Sequence, residues 1–129
     1  MFQDYHFEKW LLNPDRVLIL GILNITPDSF SDGGLYLNPK KAFDKAIKLL
    51  NDGCDIIDIG GESSRPGSTP ISSQEEIDRI IPVIEKIKNE VECLISVDTY
   101  KADVASEAIK YGANIINDIT GLSHDPDMI

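Results

Sequence analysis

Cysteine is scarce. Cys54 and Cys93 are the only two, they stand far apart, and neither lies in a CxxC spacing. With the two histidines also unclustered, a disulfide framework or a structural zinc site is excluded, and both thiols read as small buried hydrophobes. Positive charge is scarce too, with 12 Lys and Arg against 22 Asp and Glu, a net charge of −10 and a pI near 4.5. That balance argues against partners that are nucleic acids or anionic membranes. No apolar run approaches the roughly 20 residues of a membrane span. Residues 1–10 mix Asp4, His6, Glu8 and Lys9 with aromatics, so no signal-peptide core is expected, and a cytoplasmic location is the default. The usual phosphate motifs, GxxxxGK[ST] and GxGxxG after the first strand, are missing. His6 and His124 are too isolated to argue a histidine-based triad. Asn24-Ile25-Thr26 has the form of a glycosylation sequon, but Pro27 follows it and no secretory signal is expected.

What remains is an ordinary globular composition. The 129 residues, 42% hydrophobic and 26% charged, suffice for one domain with a hydrophobic core. The acidic balance sets one requirement: an anionic substrate would need positive charge supplied locally, by an arginine, a metal ion or backbone N–H groups.

Strands and helices alternate along the chain. Val17 to Leu23 is continuously apolar, as a strand buried on both faces should be. Asn38-Pro39 offers an N-cap with proline at the first helical position; Ala42, Phe43, Ala46, Ile47 and Leu50 make one helical face, and Gly53 stops it. A second strand, Asp55 to Gly60, leads through a Gly/Ser/Pro-rich loop, Gly61 to Pro70. Ser72 and Ser73 each have a glutamate three residues on, so either can close a capping box. Ile77, Ile80, Ile81, Ile84, Ile87 and Val91 then form a helical stripe that Pro82 should kink. A third strand, Leu94 to Val97, precedes a helix from about Lys101 to Tyr111 with Ala105, Ala108 and Ile109 facing inward and Gly112 as terminator. The fourth strand is Asn114 to Ile119, and an irregular tail, Leu122 to Ile129, ends without a helix. Alternating strands and helices imply parallel pairing and right-handed crossovers, in an open doubly wound sheet or in part of a barrel. A complete (β/α)8 barrel needs roughly 200 residues or more, so this chain is not expected to close one.

In either architecture ligands gather at the C-terminal ends of the strands. Here all four ends turn polar, and two lead into glycine-rich loops. Bland readings stand beside the functional ones. Thr99 is a good N-cap for the third helix, Asn117 and Asp118 are turn formers, and Gly33-Gly34 and Pro66-Gly67 suit tight turns. Arg65 is the only basic residue in either glycine-rich loop, and its guanidinium suits a phosphate. Amide and carboxylate groups at strand ends suit the edge of a nitrogen heterocycle.

The strand-end motifs carry a resemblance. Gly21-Ile22-Leu23-Asn24-Ile25-Thr26-Pro27-Asp28-Ser29-Phe30-Ser31-Asp32-Gly33-Gly34 is similar to the first signature of dihydropteroate synthases, and Gly60-Gly61-Glu62-Ser63-Ser64-Arg65-Pro66-Gly67 resembles their second. Ser96-Val97-Asp98-Thr99 and Ile116-Asn117-Asp118-Ile119 match their third and fourth strand ends. The first motif is long and specific; the last two are weak alone. The resemblance spans about residues 17–121 and implies an α/β fold, a (β/α)8 TIM barrel of which residues 1–129 are the N-terminal half of a single domain, about the first four β/α units. In that family a dihydropterin carrying a methyl diphosphate condenses with 4-aminobenzoate, releasing diphosphate, in folate biosynthesis.

By resemblance, Asp98 and Asn117 bind the pterin edge with Ile119 against the ring, and Asn24 holds Mg2+ on the diphosphate. Ser64 and Arg65 lie near the diphosphate and 4-aminobenzoate, Phe30 and Pro66 wall the aminobenzoate pocket, and Asp32 approaches its amine. No catalytic nucleophile is expected; Arg65 is the nearest candidate for a catalytic role. The resemblance also implies a sulfonamide target, a homodimeric parent and a fragment inactive alone. Ser64 stands where the family often has threonine, a change that keeps the hydroxyl. The rival readings are another pterin-binding barrel, such as a methyltetrahydrofolate-dependent corrinoid methyltransferase domain, and a non-catalytic pterin-binding pseudoenzyme.

Overall fold

The structure is a computed structural model that describes residues 4–27 and 38–129. Helix α1 spans Asp4–Leu12, followed by strand β1 (Leu20–Asn24), helix α2 (Pro39–Asn51), β2 (Ile56–Gly60), α3 (Ser73–Glu90), β3 (Leu94–Asp98), α4 (Ala102–Lys110) and β4 (Ile115–Asn117). A 3-10 turn, Pro126–Met128, ends the chain. The strands form one parallel sheet in the order β1-β2-β3-β4, so every connection advances to the neighbouring strand.

Alternation along each strand sorts the side chains onto two faces. Leu23, Ile57, Ile59, Ile95 and Val97 point one way, into a cluster with Ala42 and Ala46 of α2, Ile80, Ile84 and Ile87 of α3, and Val104 and Ala108 of α4. All three crossover helices therefore cover a single face, as in an arc of a barrel rather than a doubly wound sheet. The local signals act as expected at most element ends. The Asn38 side chain accepts from the Lys40 and Lys41 amides with Pro39 at the first helical turn, and Gly53 follows α2 at a φ of 108° that favours glycine. Of the two serines before α3, Ser72 is the cap, its hydroxyl accepting from the Glu75 amide at 3.1 Å. Helix α3 runs on through Pro82, which is exposed, so the carbonyl left without a helical donor faces water.

Several expectations are corrected. Strand β1 begins at Leu20 rather than Val17, because the ladder with β2 starts where the Ile19 carbonyl accepts from Asp55 and Ile56; Val17 is exposed. Nor is β1 buried on both faces: it alternates, Gly21 and Leu23 in, Leu20 and Ile22 out, since helices cover one side only. In α4 the inward stripe is Val104, Ala105 and Ala108, and Ile109 is 56% exposed, being about 100° of helix further round than Ala108. Cys93 is buried but Cys54 only half so. Strand β4 stops at Asn117, two residues short of Ile119. Helix α1 and the terminal 3-10 turn were not anticipated. Residues 4–12 show no clean apolar stripe, and the turn is nucleated by Asp125, which accepts from the Asp127 amide.

Candidate functional site

The face of the sheet opposite the helices carries a line of polar groups at its C-terminal edge. Asn24, Gly60, Asp98 and Asn117 are successive partners in the parallel register. One step below lies a second row, Ile22, Asp58, Ser96 and Ile115. Gly60 sets the spacing in the upper row: a Cβ there would meet Asn24 Oδ1 at 3.4 Å and Asp98 Oδ2 at 3.7 Å, so those two side chains converge over a position that has none.

Asp98 is half-buried. Burial, then the negative charges of Asp58, Glu76 and Asp118, raise its carboxyl from the ordinary 3.8 to about 6. Asp58, only 5% exposed, accepts from the Asn117 carboxamide at 3.2 Å through one oxygen. Its other oxygen and the buried hydroxyl of Ser96 have no hydrogen-bond partner among the described residues. Buried polar atoms are paired in the great majority of structures, so an acceptor and a hydroxyl left open on the concave face are suited to a ligand that brings its own donors.

Asp58 was not anticipated as a site residue. The signal was present in the sequence: it interrupts the apolar run Ile56-Ile57-Asp58-Ile59, two residues before Gly60, on the same face by strand periodicity. Asn117 and Asp118, both open to a turn-former reading, separate cleanly. Asn117 joins the polar row, whereas the Asp118 carboxylate is consumed locally by the Thr120 amide and hydroxyl and the Leu122 amide. Thr99 does not cap α4. Its hydroxyl accepts from the Lys101 amide at 3.2 Å, while the cap position is Lys101 and the Ala102 amide is satisfied by Asp125 at 2.8 Å. Ile119, beyond the end of β4, is 70% exposed and outside the row.

Next to Asn24 a cleft opens between the β1 and β2 ends, lined by Asn24, Thr26, Ser63, Ser64, Arg65 and Arg79 among others. Ser64, Arg65 and Pro66 are exposed on its loop. Arg79 of α3, unremarked in the sequence because it lies outside the glycine-rich loops, brings a second guanidinium; it donates to the Gly61 carbonyl at 2.9 Å and pairs with Glu75. Phe30 and Asp32 lie outside the described residues. Among the described residues no three His, Cys, Asp or Glu side chains group as a metal site, and no helix is long and apolar enough to cross a membrane.

A one-sided parallel arc with carboxylates and carboxamides along its C-terminal edge, beside an arginine-lined cleft, defines a ligand-binding α/β barrel protein. The family model for pterin binding enzymes matches residues 20–129, and the chain belongs to that family. It is similar to the dihydropteroate synthase of Bacillus subtilis (strain 168), 59% identical over 114 residues that cover 88% of this chain and 40% of that protein. It is also similar to that of Clostridium beijerinckii, at 51% identity, covering 88% of this chain and 42% of the relative. Among solved structures, the dihydropteroate synthase of Clostridium difficile in the presence of pteroic acid superposes with a TM-score of 0.84 at 54% identity, over 88% of this chain and 43% of that one. The Yersinia pestis enzyme with a sulfonamide drug complex does so with a TM-score of 0.75 at 49% identity, over 84% and 40%. The chain thus spans about two fifths of the length of the relatives it matches, and its fold is that of three β/α units and a fourth strand of a (β/α)8 barrel.

Proposed function

We propose that the chain is the N-terminal half of a dihydropteroate synthase, holding the dihydropterin diphosphate against which 4-aminobenzoate reacts. The observation that carries this reading is the in-register row Asn24, Gly60, Asp98 and Asn117 beside the Arg65 cleft, in a chain 59% identical to a dihydropteroate synthase. A solved relative from Xanthomonas albilineans was obtained with 4-aminobenzoic acid.

The Asp98 carboxylate accepts from the N–H donors on the pterin edge, and Asn117 both donates and accepts beside it. The open oxygen of Asp58 and the Ser96 hydroxyl lie one row deeper, within the reach of the same ring. Ile119 packs at the ring's margin, although in this structure its side chain faces solvent. Ser64 and Arg65 face the diphosphate, and Pro66 bounds the aminobenzoate pocket, to which the motif resemblance also assigns Phe30 and Asp32.

In the reaction the methylene carbon–oxygen bond breaks and diphosphate leaves with the electron pair. The amine of 4-aminobenzoate supplies the pair of the new carbon–nitrogen bond and then loses a proton. No covalent enzyme intermediate is needed. The protein holds the ring, neutralises the leaving group and positions the amine. Mg2+ fits as a companion of the diphosphate. Asn24 offers one hard carboxamide oxygen next to Gly60, and among the described residues no cluster of three His, Cys, Asp or Glu side chains forms a metal cage, a donor set suited to an ion that takes most of its ligands from phosphate and water. When bound, the ion supplies charge neutralisation on the leaving group. Arg65 and Arg79 meet the same need in an otherwise acidic chain. The parent enzyme is cytoplasmic and homodimeric on this reading, and the fragment alone is inactive.

The test is complementation. The chain is mixed with the remaining barrel half of the Bacillus subtilis relative, and dihydropterin diphosphate, Mg2+ and 4-aminobenzoate are supplied. Dihydropteroate and pyrophosphate should form, and both should be lost with Asp98→Ala and with Arg65→Ala. A folded complex that binds pterin yet yields no product would overturn the synthase reading in favour of a binding protein.

A further inference from the structure

The loop that carries Arg65 leaves β2 after Gly60 and re-enters the fold at α3. Residues 64–70 are exposed, yet the two ends of the loop are fixed by a side chain from a different part of the chain. Lys101, three residues beyond Asp98, directs its ammonium to Glu62 Oε2 at 2.6 Å, the Ile71 carbonyl at 2.7 Å and Glu76 Oε2 at 2.8 Å. An ammonium has three donors, and each is matched by one acceptor. Glu62 opens the loop, Ile71 closes it, and Glu76 lies in the first turn of the helix that follows. The Tyr100 hydroxyl donates to the second oxygen of Glu62 at 2.8 Å. The Lys101, Glu62 and Glu76 side chains are 15%, 11% and 2% exposed. Gly61, between β2 and Glu62, lies so close to α3 that a Cβ would sit 2.8 Å from Ile80 Cγ2.

Buried ion clusters are weak contributors to net stability, and their better-attested use is to specify one arrangement among several. The arrangement specified here is that of a small-residue loop whose own bonds gather at residues 63–68: Ser68 Oγ donates to the Ser63 and Arg65 carbonyls, the Ser68 amide donates to the Arg65 carbonyl, and the Arg65 amide donates to Ser63 Oγ. Lys101 and Asp98 share one short segment, so the tie joins the base of the Arg65 loop to the strand end that carries Asp98.

We propose that Lys101 is a positioning residue, joining both ends of the Glu62–Ile71 loop to the β3 end and so fixing the reach of Arg65 over the cleft beside Asn24. This rests on reading Arg65 as the diphosphate ligand. The cation touches no substrate and acts through the loop.

The experiment uses the isotopically labelled chain and its Lys101→Met, Lys101→Arg and Arg65→Ala variants. Backbone dynamics of residues 63–70 are read by heteronuclear NOE, affinity for pyrophosphate with Mg2+ by calorimetry, and integrity of the sheet by amide exchange at Ile57 and Ile95. Lys101→Met should loosen the loop and weaken pyrophosphate binding about tenfold, the worth of roughly one charge-assisted hydrogen bond, with sheet protection unchanged. Lys101→Arg should retain binding within about threefold of the parent. Should Lys101→Met fail to fold, Tyr100→Phe and Glu62→Gln each remove or weaken one tie and should move both readouts in the same direction by less. Unchanged loop dynamics and affinity in folded variants would overturn the proposal. The Arg65→Ala control separates the two readings: a loop loosened by Lys101→Met, with binding indifferent to Arg65, would leave the staple standing and remove the diphosphate assignment.

Discussion

Asp98 links the electrostatics of the site to two measurements of opposite sign. A carboxyl whose folded pKa lies above its unfolded value contributes stability that is full below the unfolded value, 3.8, and is lost as pH rises through about 6. Between pH 4 and 7 the parent chain should therefore lose about 1 kcal/mol relative to Asp98→Asn, once solvent screening of a half-exposed group is allowed for; denaturant midpoints of the two chains across that range check it. Ligand binding runs the other way, because a pterin edge that donates needs the carboxylate. With the transition near 6, roughly nine tenths of the group is ionised at pH 7 and one tenth at pH 5, so pterin affinity should fall about tenfold over that interval. A flat affinity profile would remove Asp98 from the site. Ser96 supplies a companion case. Its hydroxyl is buried without a partner among the described residues, so Ser96→Ala should stabilise the unliganded chain by about 1 kcal/mol while weakening pterin binding, a trade readable from thermal melts with and without ligand. The sequence alone exposed Asp98 and Asn117 because they end strands. Asp58, which sits inside one, showed only as a break in an apolar run, and its membership of the site face depends on which side the helices cover.

At the scale of elements, most of the fold was legible where a local signal suffices. The caps Asn38 and Ser72 and the stop at Gly53 are short-range chemistry, readable from neighbours in the chain. Between Ser72 and Ser73 the sequence offered no choice; the structure selects Ser72. Ser72→Ala should then cost about 1 kcal/mol, and Ser73→Ala much less, in urea unfolding. What escaped was non-local. Strand β1 is cut back to Leu20 by the start of its neighbour, Ile56. The first amide of α4 is satisfied by Asp125, 23 residues away in sequence, so Thr99 is released from the capping role its position suggested. Gly61 is likewise a tertiary glycine rather than a turn glycine: a methyl group there would meet Ile80 at 2.8 Å and the Glu76 carbonyl at 3.2 Å. Gly61→Ala should cost about 1–3 kcal/mol by overpacking and should displace the loop from α3, visible as chemical-shift changes across residues 61–71.

For the whole molecule, the governing fact is that, among the described residues, four strands in sequential order leave two open parallel edges, β1 and β4. Around them Leu20, Ile22, Ile119 and Leu122 are exposed. Unpaired strand edges with apolar neighbours favour association. The isolated chain should therefore show a concentration-dependent increase in mass by light scattering, reduced by Ile22→Lys; a strict monomer at all concentrations would contradict this. That the sheet is an arc of a barrel could not be read from composition or periodicity, which fit an open sheet equally well. The resemblance of the strand-end motifs indicated it, and the placement of α2, α3 and α4 on one face agrees.

Helix α1 also bears on the shape of this arc. Its first residue, Asp4, accepts from the Asn114 carboxamide at 2.9 Å, just ahead of β4. From its last turn, Trp10 donates to the Arg16 carbonyl at 2.7 Å, and Arg16 pairs with Asp55, just ahead of β2. The Asn114 amide oxygen in turn accepts from Ile95 and Lys88. In a builder's terms the sheet is an arch and α1 is the tie-beam between its footings, so the curvature that brings Asn24, Asp98 and Asn117 round one hollow at the crown is restrained from the opposite end of the strands.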